Sequence, residues 1–234
     1  MHALRWTLPV TCWSVTETGK AEIGFIEPMM RRRLSSLSGI ALKVAHDCLS
    51  ARQSVVDEGL RIVFGSRHGE LKRTTEILLA LSRHEPVSPT AFSLSVLNAM
   101  TGVLGIALNE RAPACALSAG AETLGLALLE AHAQLASEPS SPVLVVYADE
   151  QVDPLYGAGE QPGESGALAV LLDEKATQQL ECTRGELALS SVPHASFATQ
   201  IEAFRHCLEA HTSTCWQAES AVNGGGQWSW SWHA

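Results

Sequence analysis

At 234 residues, 46% of them hydrophobic and 18% charged, the chain has enough apolar material for one large domain or two small ones and reads as an ordinary soluble globular protein. A net charge of -9, with 16 Lys+Arg and no basic run beyond Arg31-Arg32-Arg33, excludes a nucleic-acid surface and attraction to anionic lipid. Proteins and neutral small molecules remain as partners.

Met1 to Val10 carries one arginine and no apolar run of signal-peptide length, and no stretch approaches the ~20 apolar residues of a membrane helix. A cytoplasmic location without membrane insertion is expected. Residues 34–49 then place Leu34, Leu37, Ile40, Ala41, Val44, Ala45, Cys48 and Leu49 at helical spacing, one apolar stripe of an amphipathic helix. Leu60 to Phe64 is short, β-rich and stopped by Gly65-Ser66, as a buried strand ending in a turn. Helical spacing returns from Gly69 to Ser82.

A loop with two prolines, His84 to Pro89, precedes a helix expected over Phe92 to Leu108. Ala114 to Leu117 reads as a second short strand. Ala121 to Leu135 is rich in Ala and Leu almost all round, which predicts a helix buried on every face. Pro142 to Tyr147 and Ala167 to Leu172 are continuous apolar runs of strand length, the pattern of central strands covered on both sides. After Lys175 the signal weakens: residues 195–210 suit one more helix, and Trp228-Ser229-Trp230-Ser231-Trp232 alternates like a strand or an extended arm. Three exposed tryptophans are costly in a monomer, so this tail is expected against the domain or a partner.

Strands alternating with helices indicate a layered α/β fold. The six cysteines show no CxxC pair and no zinc-like spacing, so reduced, mostly buried thiols are expected, with no metal and no cofactor. Asp149, Glu150 and Asp153 form an acidic cluster after a strand, read as a solvated loop. The run Gly157 to Gly166 lacks the Lys and Ser/Thr of a phosphate loop.

Four segments carry a resemblance: Pro28 to Ser35, Phe64-Gly65-Ser66-Arg67-His68-Gly69-Glu70, Ser88 to Ala99, and Gly163-Glu164-Ser165-Gly166-Ala167-Leu168-Ala169. With the order of elements, residues 28–174 resemble the N-terminal half of a β-ketoacyl synthase of the thiolase superfamily. The chain is similar to the short ketosynthase-like proteins of aryl-polyene-type biosynthesis, which themselves resemble chain-length factors paired with a catalytic ketosynthase. The resemblance implies a thiolase-like half fold, a mixed, mostly parallel sheet with helices on both faces. It also implies a ketosynthase-like half domain over residues 1–174, with residues 175–234 as an extension packing on the domain or a partner.

Condensation in that family needs a thiolate at the N-terminus of a buried helix, where the dipole and backbone N–H groups support it. Anchored on Leu124 the family motif puts Gly120 at that position; anchored on Pro113 it puts Ala121 there. Neither supplies sulfur. The family's two catalytic histidines belong to a second half that lies beyond this sequence. Removing one member of such a unit already costs orders of magnitude in rate, so no condensation by this chain is expected.

Cys115 sits within its strand and reads as a buried structural thiol. Ser118 lacks a Gly-x-Ser-x-Gly elbow. By the resemblance His68 borders an acyl pocket near a subunit interface, or is a locally bonded loop histidine. Phe92, Leu97 and Met100 either cross the subunit boundary and cap the partner's acyl tunnel or are core at helical spacing. Cys115, Ser118 and Glu122 complete the candidate pocket and interface set.

If the helix after the elbow left ~500 Å² of apolar surface open, on the order of 10 kcal/mol of burial would be forgone. The tail is expected to cover part of it, and a full-length ketosynthase to dock on the edge strand near Ala114 to Leu117. The expected function is a non-catalytic subunit that shapes the acyl tunnel of that synthase and meets acyl carrier protein indirectly. The alternatives are a stand-alone acyltransferase or thioesterase-like enzyme with a non-Cys nucleophile, and a homodimer that binds acyl groups without chemistry.

Overall fold

The structure, a computed structural model, describes residues 3–17, 21–52, 59–151, 166–185, 197–217 and 226–233. Asp153, most of the run from Gly157 to Gly166, and Gly224-Gly225 lie outside the described residues.

One eight-stranded sheet organises the molecule, in the order β3-β2-β4-β5-β1-β6-β8-β7. Its strands are β1 (Leu4–Glu17), β2 (Arg61–Gly65), β3 (Ala114–Leu117), β4 (Val143–Asp149), β5 (Gly166–Leu172), β6 (Gln178–Arg184), β7 (Thr214–Gln217) and β8 (Gln227–His233). The expected α/β fold, mixed sheet and helices on both faces are present. The expected parallel majority is not: only β2–β3 and β2–β4 run parallel, and the other five pairings are antiparallel. β1 accounts for two of the antiparallel pairings, since this one long strand lies between β5 and β6 and runs opposite to both.

The 14-residue strand β1 is the largest element that the sequence did not reveal. Its first half, from Leu4, pairs with β6; its second half, to Glu17, pairs with β5; Val10 is shared. The register slips between Val10 and Cys12, and Pro9 sits beside this bulge, where a residue without an N–H is tolerated. The expected boundary at residue 174 falls in the turn between β5 and β6, and the sheet crosses it through β1.

A short helix, α1 (Pro28–Arg31), precedes the packed helices, and two apolar cores form on the two faces of the sheet. On one lie α2 (Ser36–Ala51) and α5 (Ala99–Leu108), over Ile62, Phe64, Leu144, Val146, Ala169 and Leu171. On the other lie α6 (Thr123–Ser137) and α7 (Gln200–Ala210), over Val63, Val145, Tyr147, Leu168 and Val170. The continuous apolar runs of β4 and β5 follow directly, since both faces of these strands are covered and every residue in them is buried.

The helix expected over Phe92 to Leu108 is broken into α4 (Pro89–Ser93) and α5. Serine chemistry explains the break: the hydroxyls of Ser93 and Ser95 donate to the carbonyls of Thr90 and Phe92, competing with helical bonds. The helix expected to be buried all round, α6, is buried on one face only. Leu126 and Leu129 are half-exposed and Ala133 is exposed, because α6 lies on a single side of the sheet.

The tryptophan tail is a core strand. Trp228, Trp230 and Trp232 of β8 all point to the face carrying α6 and α7, with Ser229 and Ser231 turned away. Trp228 meets Trp6 edge-on at 6.0 Å, and Phe204 of α7 meets Trp230 likewise at 5.5 Å. At Gly125 of α6 an added Cβ would stand 2.3 Å from the Trp228 ring, so a glycine is required there.

Candidate functional site

The three mutually parallel strands β3, β2 and β4 end on the same side of the sheet, the position where open α/β sheets place ligands. Three pieces of chain meet there: the loop after β2 (residues 66–70), the turn after β3 (118–122), and Asp149 at the end of β4.

Asp149 holds the first piece. It is 1% exposed and accepts from the Ser66 hydroxyl (2.8 Å), the Arg67 N–H (2.9 Å), the His68 N–H (3.2 Å) and the Tyr147 hydroxyl (2.6 Å). The Ser66 Oγ in turn accepts from the Gly69 N–H at 2.8 Å. Burial pushes the Asp149 carboxyl up despite these four donors. Asp149 is therefore an internal pin, not the solvated loop residue expected from its acidic neighbours. The available signal was Tyr147, two residues earlier on the strand and so on the same face. Glu70 closes the loop from the other side, accepting from Ser35 and Ser38 at the start of α2 and pairing with Arg73 at 3.0 Å.

The second piece is a strand–turn–helix elbow. β3 ends at Leu117, a single 3-10 turn covers Gly120–Glu122, and α6 begins at Thr123. Gly120 has φ +58, a left-handed conformation that favours glycine, and a Cβ added to it would meet nothing within 4 Å. The Thr123 hydroxyl fixes the turn, accepting from the Ala119 N–H at 2.9 Å and donating to the Gly120 carbonyl at 2.7 Å. Neither Gly120 nor Ala121 carries a nucleophilic atom. Ser118 is exposed and donates its hydroxyl to the Arg67 carbonyl at 2.8 Å, which ties the elbow to the His68 loop.

Cys115 is half-buried in β3 and accepts from the Gln134 amide at 3.4 Å. Burial, and then the Glu130 carboxylate, push its thiol up, the reverse of nucleophile activation. Glu122 faces the other half of the sheet: Arg184 of β6 grips it at 2.6 and 3.1 Å and the Trp228 indole N–H donates to it at 3.0 Å. The Arg184 guanidinium holds its carboxyl below the usual range. This clamp is a joint between elbow and tail that the sequence did not reveal.

The remaining candidates separate. His68 is half-buried, its backbone fixed by Asp149. Phe92 is 65% exposed on α4, Leu97 packs against Gly69 and the α2/α5 core, and Met100 is 3% exposed inside that core. Met100 thus follows the core reading and presents no surface. Two open clefts lie toward the opposite end of β2 and β3, one lined by Ile62, Gly105 and Ala114 and the other by Leu49, Leu60 and Leu108.

Over residues 5–233 the chain matches the family described as β-ketoacyl synthase, N-terminal domain. The chain belongs to this family. The match reaches through the tail to β8, past the residue 174 at which the resemblance was expected to end. Among solved structures, the ketosynthase-family chain is similar to a chain in the complex of a ketosynthase (ApeO) with its chain length factor (ApeC) from Xenorhabdus doucetiae, at 27% identity and TM-score 0.73, covering 97% of this chain and 99% of that one. The ishigamide ketosynthase/chain length factor aligns at 16% identity and TM-score 0.66, over 97% of this chain and 98% of that one. A β-ketoacyl synthase from Burkholderia phymatum STM815 aligns at 11% identity and TM-score 0.60, over 82% of this chain and 67% of that one. The last two show the shared fold. No curated protein matches the chain. Among the described residues no helix is long and apolar enough to cross a membrane.

Proposed function

We propose that the chain is a non-catalytic, chain-length-factor-like subunit that pairs with a catalytic β-ketoacyl synthase and shapes its acyl tunnel, in the cytoplasm, in aryl-polyene or fatty-acid-type biosynthesis. The observation that carries this reading is the elbow. The turn is fixed by Thr123 and tied by Ser118 to the His68 loop, and it carries no sulfur at Gly120 or Ala121, the two positions that the family resemblance offers for the nucleophile. The 27% likeness to a ketosynthase and chain-length-factor complex supports the same reading.

The surface supports pairing as well. β3 is an edge strand with free pairing capacity. Beside it α5 exposes Ile106 (71%), while α3 (Leu71–Ser82) exposes Leu78 and Leu81, α4 exposes Phe92, and the segment between α4 and α5 exposes Val96. Exposed large apolar side chains, with Ile106 of α5 next to the open edge, support an interaction surface. The synthase supplies the cysteine and histidines and receives acyl carrier protein; this chain contributes His68, Phe92 and Leu97 near the tunnel.

Co-expression with a ketosynthase that retains its Cys and His residues should give a 1:1 complex on size exclusion, and the chain alone should show no acyl adduct by intact mass after incubation with acyl-thioesters. Phe92→Glu should leave the melting temperature of the chain unchanged and weaken the complex at least tenfold. An acyl-enzyme formed by the chain alone would overturn the proposal.

A further inference from the structure

At the bulge of β1, Cys12 faces Cys48 of the last turns of α2, their Sγ atoms 3.6 Å apart. Each thiol bonds across the joint: Cys12 Sγ donates to the Cys48 carbonyl (3.0 Å) and Cys48 Sγ to the Cys12 carbonyl (3.4 Å). The two residues are 36 apart in sequence and belong to different layers, so their approach is made by packing and not by chain continuity. Cys12 is half-exposed while Cys48 is buried, the arrangement of an attacking and a resolving thiol. The hydrogen bond from Cys48, and then the Arg52 cation, hold the Cys12 thiol below its usual range, and Cys48 is held far above it.

We propose that Cys12 and Cys48 form a peroxide-reactive dithiol that closes reversibly to a disulfide, stapling α2 to the bulge of β1. The Cys12 thiolate attacks a peroxide oxygen: the S–O bond forms, the O–O bond breaks, and the departing hydroxide takes up a proton as water. Cys48 sulfur then attacks Cys12 sulfur, the S–O bond breaks, and the hydroxyl leaves with the Cys48 proton as a second water. Two thiols are oxidised and one hydrogen peroxide is reduced to two waters.

The test is to treat the full chain with hydrogen peroxide at low excess and follow intact mass, peptide mapping and thermal unfolding. Expected are the loss of two hydrogens, a Cys12–Cys48 linked peptide, a rise in melting temperature of roughly 5 to 10 °C from closing the loop, and reversal by dithiothreitol. Cys48→Ser, which keeps a donor toward the Cys12 carbonyl, should lose the link and accumulate oxygen adducts on Cys12. Cys12→Ser should lose both. Linkage through Cys182 and Cys207 instead, or adducts on Cys12 in the unsubstituted chain without closure, would overturn the proposal.

Discussion

The two halves of the sheet, joined by β1, are held by different means. In the half β3-β2-β4-β5 both faces carry helices, the strands are apolar throughout, and two buried carboxylates, Asp149 and Glu70, fix the loop after β2. In the half β6-β8-β7 the strands are antiparallel, and β8 alternates tryptophan with serine, so that Trp228, Trp230 and Trp232 face α6 and α7 and the serines face away. The first half is a two-sided core with a polar pin; the second is a single aromatic layer with an ion-pair joint. Stability in the second half therefore rests on few, large side chains, and the shape of the loop after β2 in the first half on buried carboxylates.

The largest expected effect comes from the aromatic layer. Trp230 is fully buried, between Trp228 at 6.5 Å and Phe204 at 5.5 Å, and Trp230→Ala should cost about 3 to 5 kcal/mol in denaturant unfolding. A cost under about 1 kcal/mol would mean that the tail is an appendage and the comparison fails. Next comes Gly125→Ala, which drives a methyl into the buried Trp228 ring and should cost about 3 kcal/mol. Pairing it with Trp228→Leu should recover part of that loss, since the two residues share one contact. In the other half, Asp149→Asn puts an amide nitrogen against donors and should cost about 2 kcal/mol. Amide exchange should speed up at Arg67, His68 and Gly69 and stay unchanged in β8.

Those effects track what was legible in the sequence. The two-sided half could be read from unbroken apolar runs such as Val143 to Tyr147, because a short, valine-rich run preceded by proline suits a strand covered on both faces better than a helix. The strand and helix that flank the elbow could be read too, from Ala114 to Leu117 and from Ala121 to Leu135, while the turn between them was placed by the family resemblance. β1 could not: Thr7, Pro9, Thr11, Ser14 and Thr16 break its apolar signal, and its two halves have different partners. Asp149 looked like one more surface acid because three of its four donors come from a loop more than 80 residues away. The Glu122–Arg184–Trp228 joint was out of reach for the same reason, as its members lie 62 and 106 residues apart.

That joint supports the smallest prediction and connects the two halves. Arg184 is 43% exposed, so solvent screening limits the pair, and Glu122→Gln should cost less than about 1 kcal/mol at neutral pH. The sign of the pH dependence is fixed by the lowered Glu122 carboxyl. In the folded chain it stays ionised below the ordinary glutamate value of about 4.3, so the pair's contribution is present above that pH and is lost as pH falls through the folded value. Asp149, raised by burial, moves the opposite way, so the profile of the unsubstituted protein mixes the two. The difference between wild type and Glu122→Gln removes Asp149 from the comparison. It should be constant from pH 8 to about 5 and shrink toward zero below about 4. A difference that persists unchanged into acid would assign Glu122 a packing role against Trp228, and the two halves would then be joined by shape and not by charge.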